Sequence, residues 1–380
     1  MLLKNCKIIL LNEIVNGSLL IENGKIKEIN PANQDDIDSI DCKGLYVSPG
    51  FIDIHIHGAG GHDTMDGTYE AINEISKTIC KFGTTAFTPT TMTMSSEAIL
   101  KSILEIKKAK LEGTDGAEVL GAHLEGPFIS PSAIGAQNPN FLIEPSYENF
   151  KAMTGDAEDA VVSITMAPEV EGAKELATIL TSKGIRCSMG HTKATYEEAF
   201  EGIKAGFCHS THLFNAMTAF THREPGVVGA TFDSDITTET ISDGIHISYP
   251  SLRVAYNQKG TDKTLLVSDA MCACGMIDGT YALGGQPVIV KNGAARLENG
   301  SLAGSVLTLN VAVRNVFNNT NYPLYEVVKM ASYNGAKYCN VDDRKGQIKE
   351  NFDADLVIFD ENIDVKMTIV GGKIVHNILN

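Results

Sequence analysis

The chain opens and closes on runs in which apolar and polar residues alternate. KIILLNE and GSLLIENGKIKEI lie near one end, and ADLVIFDEN and VKMTIVGGKIVHN near the other. A period of two puts alternate side chains on opposite faces of a strand. Asn23-Gly24 and Gly371-Gly372 separate such runs and predict hairpin turns, whose tight loops need residues that tolerate positive φ. An isolated hairpin is marginal in water, so the two ends are expected to share one small β domain, residues 1–50 and 347–380.

Between the ends the pattern changes. Runs of strand character occur at 50–58, 84–90, 117–126, 160–169, 184–192, 206–215, 238–247 and 263–270. Amphipathic helical patterns separate many of them, TYEAINEISKTICKFG and SSEAILKSILEIKKAKL being the clearest. Thr195-Tyr-Glu-Glu198 has the form of a capping box at a helix start. Eight strands alternating with helices over about 250 residues predict an α/β fold, a (β/α)8 barrel over 51–346, beside a small β-sandwich built from both termini. A doubly wound sheet would carry a glycine-rich phosphate turn after its first strand, and Gly58-Ala-Gly60-Gly61 lacks that spacing.

Seven of the eight runs finish in a residue able to bind a metal or move a proton: His55 and His57, Glu125, Glu169, His191, His212, His246 and Asp269. The remaining run ends at Thr90. In a barrel the C-terminal strand ends meet at one face, so these residues converge. Singly, each has a bland reading: a lone strand-end histidine is more often a satisfied core residue, and Glu125 alone fits a solvated turn. Together, in barrel order, they point to a metal centre. His55 and His57 alternate and so share a face. Asp269 ends a buried run, where an unpaired carboxylate is costly without a cation, and it is expected to act as the proton acceptor. Glu169, His123 and His209 are expected to support or pack, and Cys272 and Cys274 to be packing thiols.

Composition narrows the class. Lys and Arg total 31 against 47 Asp and Glu, a net charge of −16, which argues against a polyanion-binding surface. The eight cysteines are spread without zinc-finger spacing and read as reduced thiols of a cytoplasmic protein. No apolar run reaches ~18 residues, so no membrane span is expected.

PGFIDIHIHG is similar to the first-strand HxH signature of the amidohydrolase superfamily. HLEGPF, GHTKATYEEA, THLFNAMTAFTHREPGVVGA, DGIHIS, LVSDAM and LAGSVLTL resemble, in order and spacing, the N-acetylglucosamine-6-phosphate deacetylase family over nearly the whole chain. The resemblance implies metal-dependent hydrolysis of the N-acetyl group of N-acetylglucosamine 6-phosphate, with Asp269 as general base and acid. It makes Glu125, His191 and His212 the main metal ligands, with His55 and His57 at the position of a second ion. One or two divalent ions are implied, zinc ahead of iron. Asn215, Ala216, Arg223 and His246 would contact the sugar phosphate, and Leu302, Ala303 and Gly304 the N-acetyl region. Part of the phosphate site would come from a neighbouring subunit of a homodimer. Gly135-Ala136-Gln137 stands where many relatives have Gly-Ala-His or Gly-Thr-His. Ala136 and Gln137 are then substrate contacts, and the glutamine amide can donate a hydrogen bond to the acetyl carbonyl but cannot become cationic.

Three rival readings are N-acetylgalactosamine 6-phosphate as substrate, another amidohydrolase chemistry (a deaminase or cyclic amidase), and a catalytically dead scaffold. Enzymes with a bridging carboxylated lysine need a lysine at a barrel strand end, where Glu125 stands here. A dead scaffold would lack ligands, and all those expected are present.

Overall fold

The structure, a computed structural model, describes residues 1–32 and 38–379. Residues 33–37 and 380, part of the expected terminal domain, lie outside the described residues.

The two chain ends meet in one eight-stranded sheet. Its order runs Lys373–Asn377, Val365–Val370, Leu356–Phe359, Tyr46–Pro49, Leu2–Ile9, Ile14–Glu22, Lys25–Ile29, with Ser39–Asp41 also paired to Leu2–Ile9. The seam between the ends is antiparallel, with Val47 opposite Ile358. Leu3, Ile8 and Leu19 from the first strands pack with Ile358, Met367 and Ile369 from the last, so neither hairpin is left alone. Asn23, Gly24, Gly371 and Gly372 all have positive φ, as the hairpin reading requires. The two hairpin tips touch: a Cβ on Gly372 would lie 2.8 Å from the Gly24 Cα. Where a sandwich was expected, the described strands of both termini hydrogen-bond into a single sheet.

The barrel strands are Phe51–Ile56, Thr84–Thr91, Glu118–Val119 continuing as Ala122–Glu125, Val161–Met166, Arg186–Met189, Phe207–Ser210, Thr237–Ile241 and Thr264–Val267. Their pairings are parallel. The ring closes past the eighth strand, where the Asp269 amide donates to the His55 carbonyl at 2.9 Å and the His57 amide to that of Ala270 at 2.8 Å. Helices Tyr69–Cys80 and Ser96–Glu112 begin at Thr68 and Ser95, whose hydroxyls accept from the first turn. Their apolar faces, Ile72, Ile75 and Ile79 with Ile99, Ile103 and Ile106, pack in one core with Phe87 of the second strand. The predicted capping box opens helix Tyr196–Ala205.

One element was not expected. Between the eighth strand and helix Leu309–Asn319, strands Gly279–Leu283, Gln286–Lys291 and Ala294–Leu297 form a three-stranded antiparallel sheet. Its turn signals, Gly284-Gly285 and Asn292-Gly293, are visible in the sequence. Among the described residues no helix is long and apolar enough to cross a membrane.

Candidate active site

At the C-terminal ends of the barrel strands, two ligand sets share Glu125. His55, His57 and Glu125 form one set and Glu125, His191 and His212 the other, with donor atoms within 4.8 Å of one another in each. Glu125 Oε1 lies 3.0 Å from His212 Nε2 and 3.2 Å from His191 Nε2, and Glu125 Oε2 lies 3.2 Å from His57 Nε2. Asp269 Oδ1 sits 3.3 Å from His57 Nε2 and 3.6 Å from His55 Nε2. His55 Nε2 is buried without a hydrogen-bond partner, an orphan aimed at the centre of the cluster. Four imidazoles and two carboxylates, converging through Nε2 and carboxylate oxygens, suit divalent ions. The donor set and the orphaned nitrogen fit one or two such ions.

The backbone is bent to make this convergence. His191, His212 and Asp269 have φ of 47°, 30° and 48°, and Phe214 and Ala216 are also positive. Such conformations cost a non-glycine residue roughly 1–3 kcal/mol each and persist where the surroundings over-determine them. Here the strands run only to Met189, Ser210 and Val267, and the left-handed turns just beyond them swing the side chains inward.

The electrostatics of the cluster are those of cations and carboxylates in mutual support. Burial pushes the Glu125 carboxyl up, but His55, His191 and His212 outweigh it and hold Glu125 well below the usual carboxylate range. Burial likewise opposes ionisation of Asp269, and His55 and His57 bring it down. For His57 burial disfavours the imidazolium, yet Asp269 and Glu125 raise it to about 10. A divalent cation would replace the protons that these histidines otherwise hold. His123, stacked edge-on against His55 at 4.7 Å, is pushed down to about 3 by burial and by His55, so it is a neutral packing partner.

A cavity of about 570 Å³ opens above the cluster. His57, Glu125, His191, His212 and Asp269 form its floor, and Ala136, Gln137, Asn215, Ala216, His246, Leu302 and Gly304 line its walls. Two expected contacts lie elsewhere. Ala303 is fully buried with its amide on the Ala295 carbonyl, and Arg223 is exposed on the 221–224 turn. Among the described residues no lysine or arginine lines this cavity. His246 is held by Asp243, whose Oδ2 accepts from Nδ1 at 2.7 Å. A larger groove, about 760 Å³ and lined by Lys107, Lys151 and Lys183 with Asp156 and Glu158, lies at the opposite end of the barrel, away from this chemistry.

Gln137 lines the cavity wall, and its carboxamide is held on both sides. The Thr93 amide donates to Gln137 Oε1 at 2.7 Å, which turns the carboxamide nitrogen to Glu125 Oε2 at 2.6 Å. Its donor orients the Glu125 carboxylate. Glu169 accepts from Thr192 Oγ1 at 2.5 Å and from the Lys193 amide at 2.6 Å, so it braces the turn after His191. Cys272 and Cys274 direct their thiols to the Ala282 and Leu307 carbonyls.

Sequence reasoning missed Glu239. It lies within the seventh strand, 1% exposed, and accepts from His55 Nδ1. The signal was a lone acid between Thr238 and Thr240 inside a strand, away from the strand end where the other site residues lie.

The amidohydrolase family pattern matches residues 46–375. The N-acetylglucosamine-6-phosphate deacetylase of Lysinibacillus sphaericus is 40% identical over 356 residues, covering 93% of this chain and 92% of that protein. The crystal structure of N-acetylglucosamine-6-phosphate deacetylase from Pasteurella multocida superposes with a TM-score of 0.94 at 32% identity, covering 98% of both chains. An alanine-for-aspartate mutant of the Mycobacterium smegmatis deacetylase, solved in complex with N-acetyl-D-glucosamine-6-phosphate, superposes with a TM-score of 0.92 at 29% identity, covering 99% of each.

Proposed function

The chain belongs to the amidohydrolase family, in its N-acetylglucosamine-6-phosphate deacetylase branch, and on that premise we propose that it hydrolyses N-acetylglucosamine 6-phosphate to acetate and glucosamine 6-phosphate. The observation that carries the reading is the meeting of His57, Glu125, His191, His212 and Asp269 on one cavity floor, with His55 fully buried against His57 and Glu125.

Glu125, His191 and His212 would hold one divalent ion, and His55 and His57 with Glu125 a second. Zinc is placed ahead of iron, as a redox-inert ion that takes mixed imidazole and carboxylate sets. Such an ion, when bound, lowers the pKa of water from 15.7 to about 7 and polarises a carbonyl oxygen. Asp269, ionised beside His55 and His57, takes the proton from the attacking water. It then delivers that proton to the amide nitrogen as the C–N bond breaks, so that a neutral amine leaves. Gln137 keeps Glu125 in orientation.

His246, Asn215 and the Ala216 backbone, on the cavity wall, would bind the sugar phosphate and aim the acetamide at the floor. Arg223 would serve the phosphate of a neighbouring subunit in a homodimer, supplying the cation that the cavity walls lack. The eight cysteines, all unpaired thiols, suit a reducing compartment such as the cytoplasm.

The test is acetate release from the 6-phosphates of N-acetylglucosamine and N-acetylgalactosamine, with bound metal measured on the same sample. Faster turnover of the gluco epimer by metal-loaded protein is expected. Release from neither epimer by metal-loaded protein sinks the assignment, and a preference for the galacto epimer reassigns the substrate.

A further inference from the structure

Glu239 joins the two ligand sets from beneath. Its Oε1 accepts from His55 Nδ1 at 2.5 Å and from the backbone amide of His212 at 3.0 Å. Its Oε2 takes His209 Nε2 at 3.2 Å, and its backbone carbonyl accepts the Leu213 amide at 3.0 Å. One buried carboxylate thus touches a ligand of each set, and through Leu213 it also ties down the turn that carries His212.

The bond to His55 has a chemical consequence. An ionised carboxylate only accepts, so the His55 proton sits on Nδ1 and the Nε2 lone pair is left free. That Nε2 is the orphaned nitrogen, 3.5 Å from Glu125 Oε1 and 3.6 Å from Asp269 Oδ1. The other ligand histidines lack such a partner. His57 and His191 direct Nδ1 to the backbone carbonyls of Thr90 and Ala133, and His212 Nδ1 has no hydrogen-bond partner. A carboxylate behind an imidazole fixes its tautomer and raises its ligand strength more than a neutral carbonyl does.

We propose that Glu239 is a positioning residue that makes the His55, His57 and Glu125 set competent to hold a second divalent ion. The inference rests on the two-ion reading given above. It predicts unequal damage: without the Glu239 charge, the set containing His55 weakens, while Glu125, His191 and His212 keep their ion.

The experiment titrates zinc into the metal-free full-length protein by calorimetry, for wild type, Glu239→Gln and Glu239→Ala. Metal content after dialysis and the metal-free melting temperature are measured alongside. The glutamine keeps the size and an acceptor oxygen but loses the charge. We expect two zinc ions per chain in wild type, with the second binding about 10–100-fold more weakly in both variants and the first unchanged in Glu239→Gln, which keeps an acceptor for the His212 amide. Two ions of wild-type affinity in the variants overturn the role of Glu239 and leave the two-ion reading standing. Only one ion in wild type overturns both. An equal loss at both positions in Glu239→Gln, together with a lower metal-free melting temperature, marks Glu239 as merely structural and also overturns the proposal. If Glu239→Ala does not fold, the glutamine variant alone decides.

Discussion

Asp269 sits at the point where local geometry and chemistry are hardest to separate. Its φ of 48° directs the carboxylate over the cavity floor, 3.3 Å from His57. Asp269→Asn preserves shape but cannot accept the water proton. It should bind zinc and melt near wild type while losing about 10²–10⁴ in kcat; a kcat within a few-fold of wild type would remove Asp269 from the mechanism. His57 carries a pH signature. Its imidazolium is held at about 10 in the folded, ion-free chain, against ~6.5 when unfolded. Between those values the folded state binds more protons, so the stability from His57 is complete below pH ~6.5 and is lost as pH rises towards 10. The denaturation midpoint of metal-stripped protein should fall from pH 6.5 to 9.5, with a shallower slope in His57→Gln. An identical slope in that variant would count against the assignment. The HxH pattern and strand-end acids made these residues legible. Glu239 was missed, and the bond from Gln137 to Glu125 was not legible, because their hydrogen-bond partners lie outside their own segments.

At the level of elements, the barrel and terminal sheet are fastened by a polar clasp. Lys345, 2% exposed at its side chain, reaches Glu118 at 2.7 Å and Asp353 at 3.0 Å and also pairs with Asp355, while Arg344 bridges Glu118 and Asp353. Those three carboxylates have the spacing of a metal site, but the Lys345 ammonium already supplies their cation. Glu118 belongs to the third barrel strand, and Asp353 also binds Lys25 of the first terminal hairpin. Removing one partner of a buried ion pair strands the other. Lys345→Met should therefore cost about 3–5 kcal/mol in urea unfolding, with part recovered by adding Asp355→Leu. A loss below about 1 kcal/mol would mean the clasp is ornamental. The inserted sheet is a second fastening: Gln286 Nε2 donates to the Ala136 carbonyl at 2.7 Å, and Leu283 joins the cavity wall. Helices and hairpins were legible from period, caps and Asn-Gly or Gly-Gly turns. The clasp was not, because it joins charges from separate segments.

For the whole molecule, the site lies at one end of the barrel and the exposed Arg223 lies off its own cavity. If Arg223 serves the neighbouring subunit, Arg223→Ala and Asp269→Asn chains should each be nearly inactive alone. Unfolded together and refolded, they should recover about a quarter of wild-type activity, because hybrid dimers then contain one intact site. No recovery in a mixture proven to contain hybrids would put Arg223 outside a shared site. The net charge of −16 describes the exterior and bears on none of this. By itself, the sequence determined that eight strands alternate with helices, that the ends pair, and that histidines and carboxylates recur at strand ends. Those facts are periodic or local, and period and turn chemistry are written residue by residue. Only the tertiary structure decided that Glu125 is shared by two candidate ligand sets, that Glu239 stands behind His55, and that Gln137 turns to Glu125. Each depends on ångström-scale convergence of strands remote in the chain, set by barrel closure and left-handed turns, which no spacing along the chain encodes.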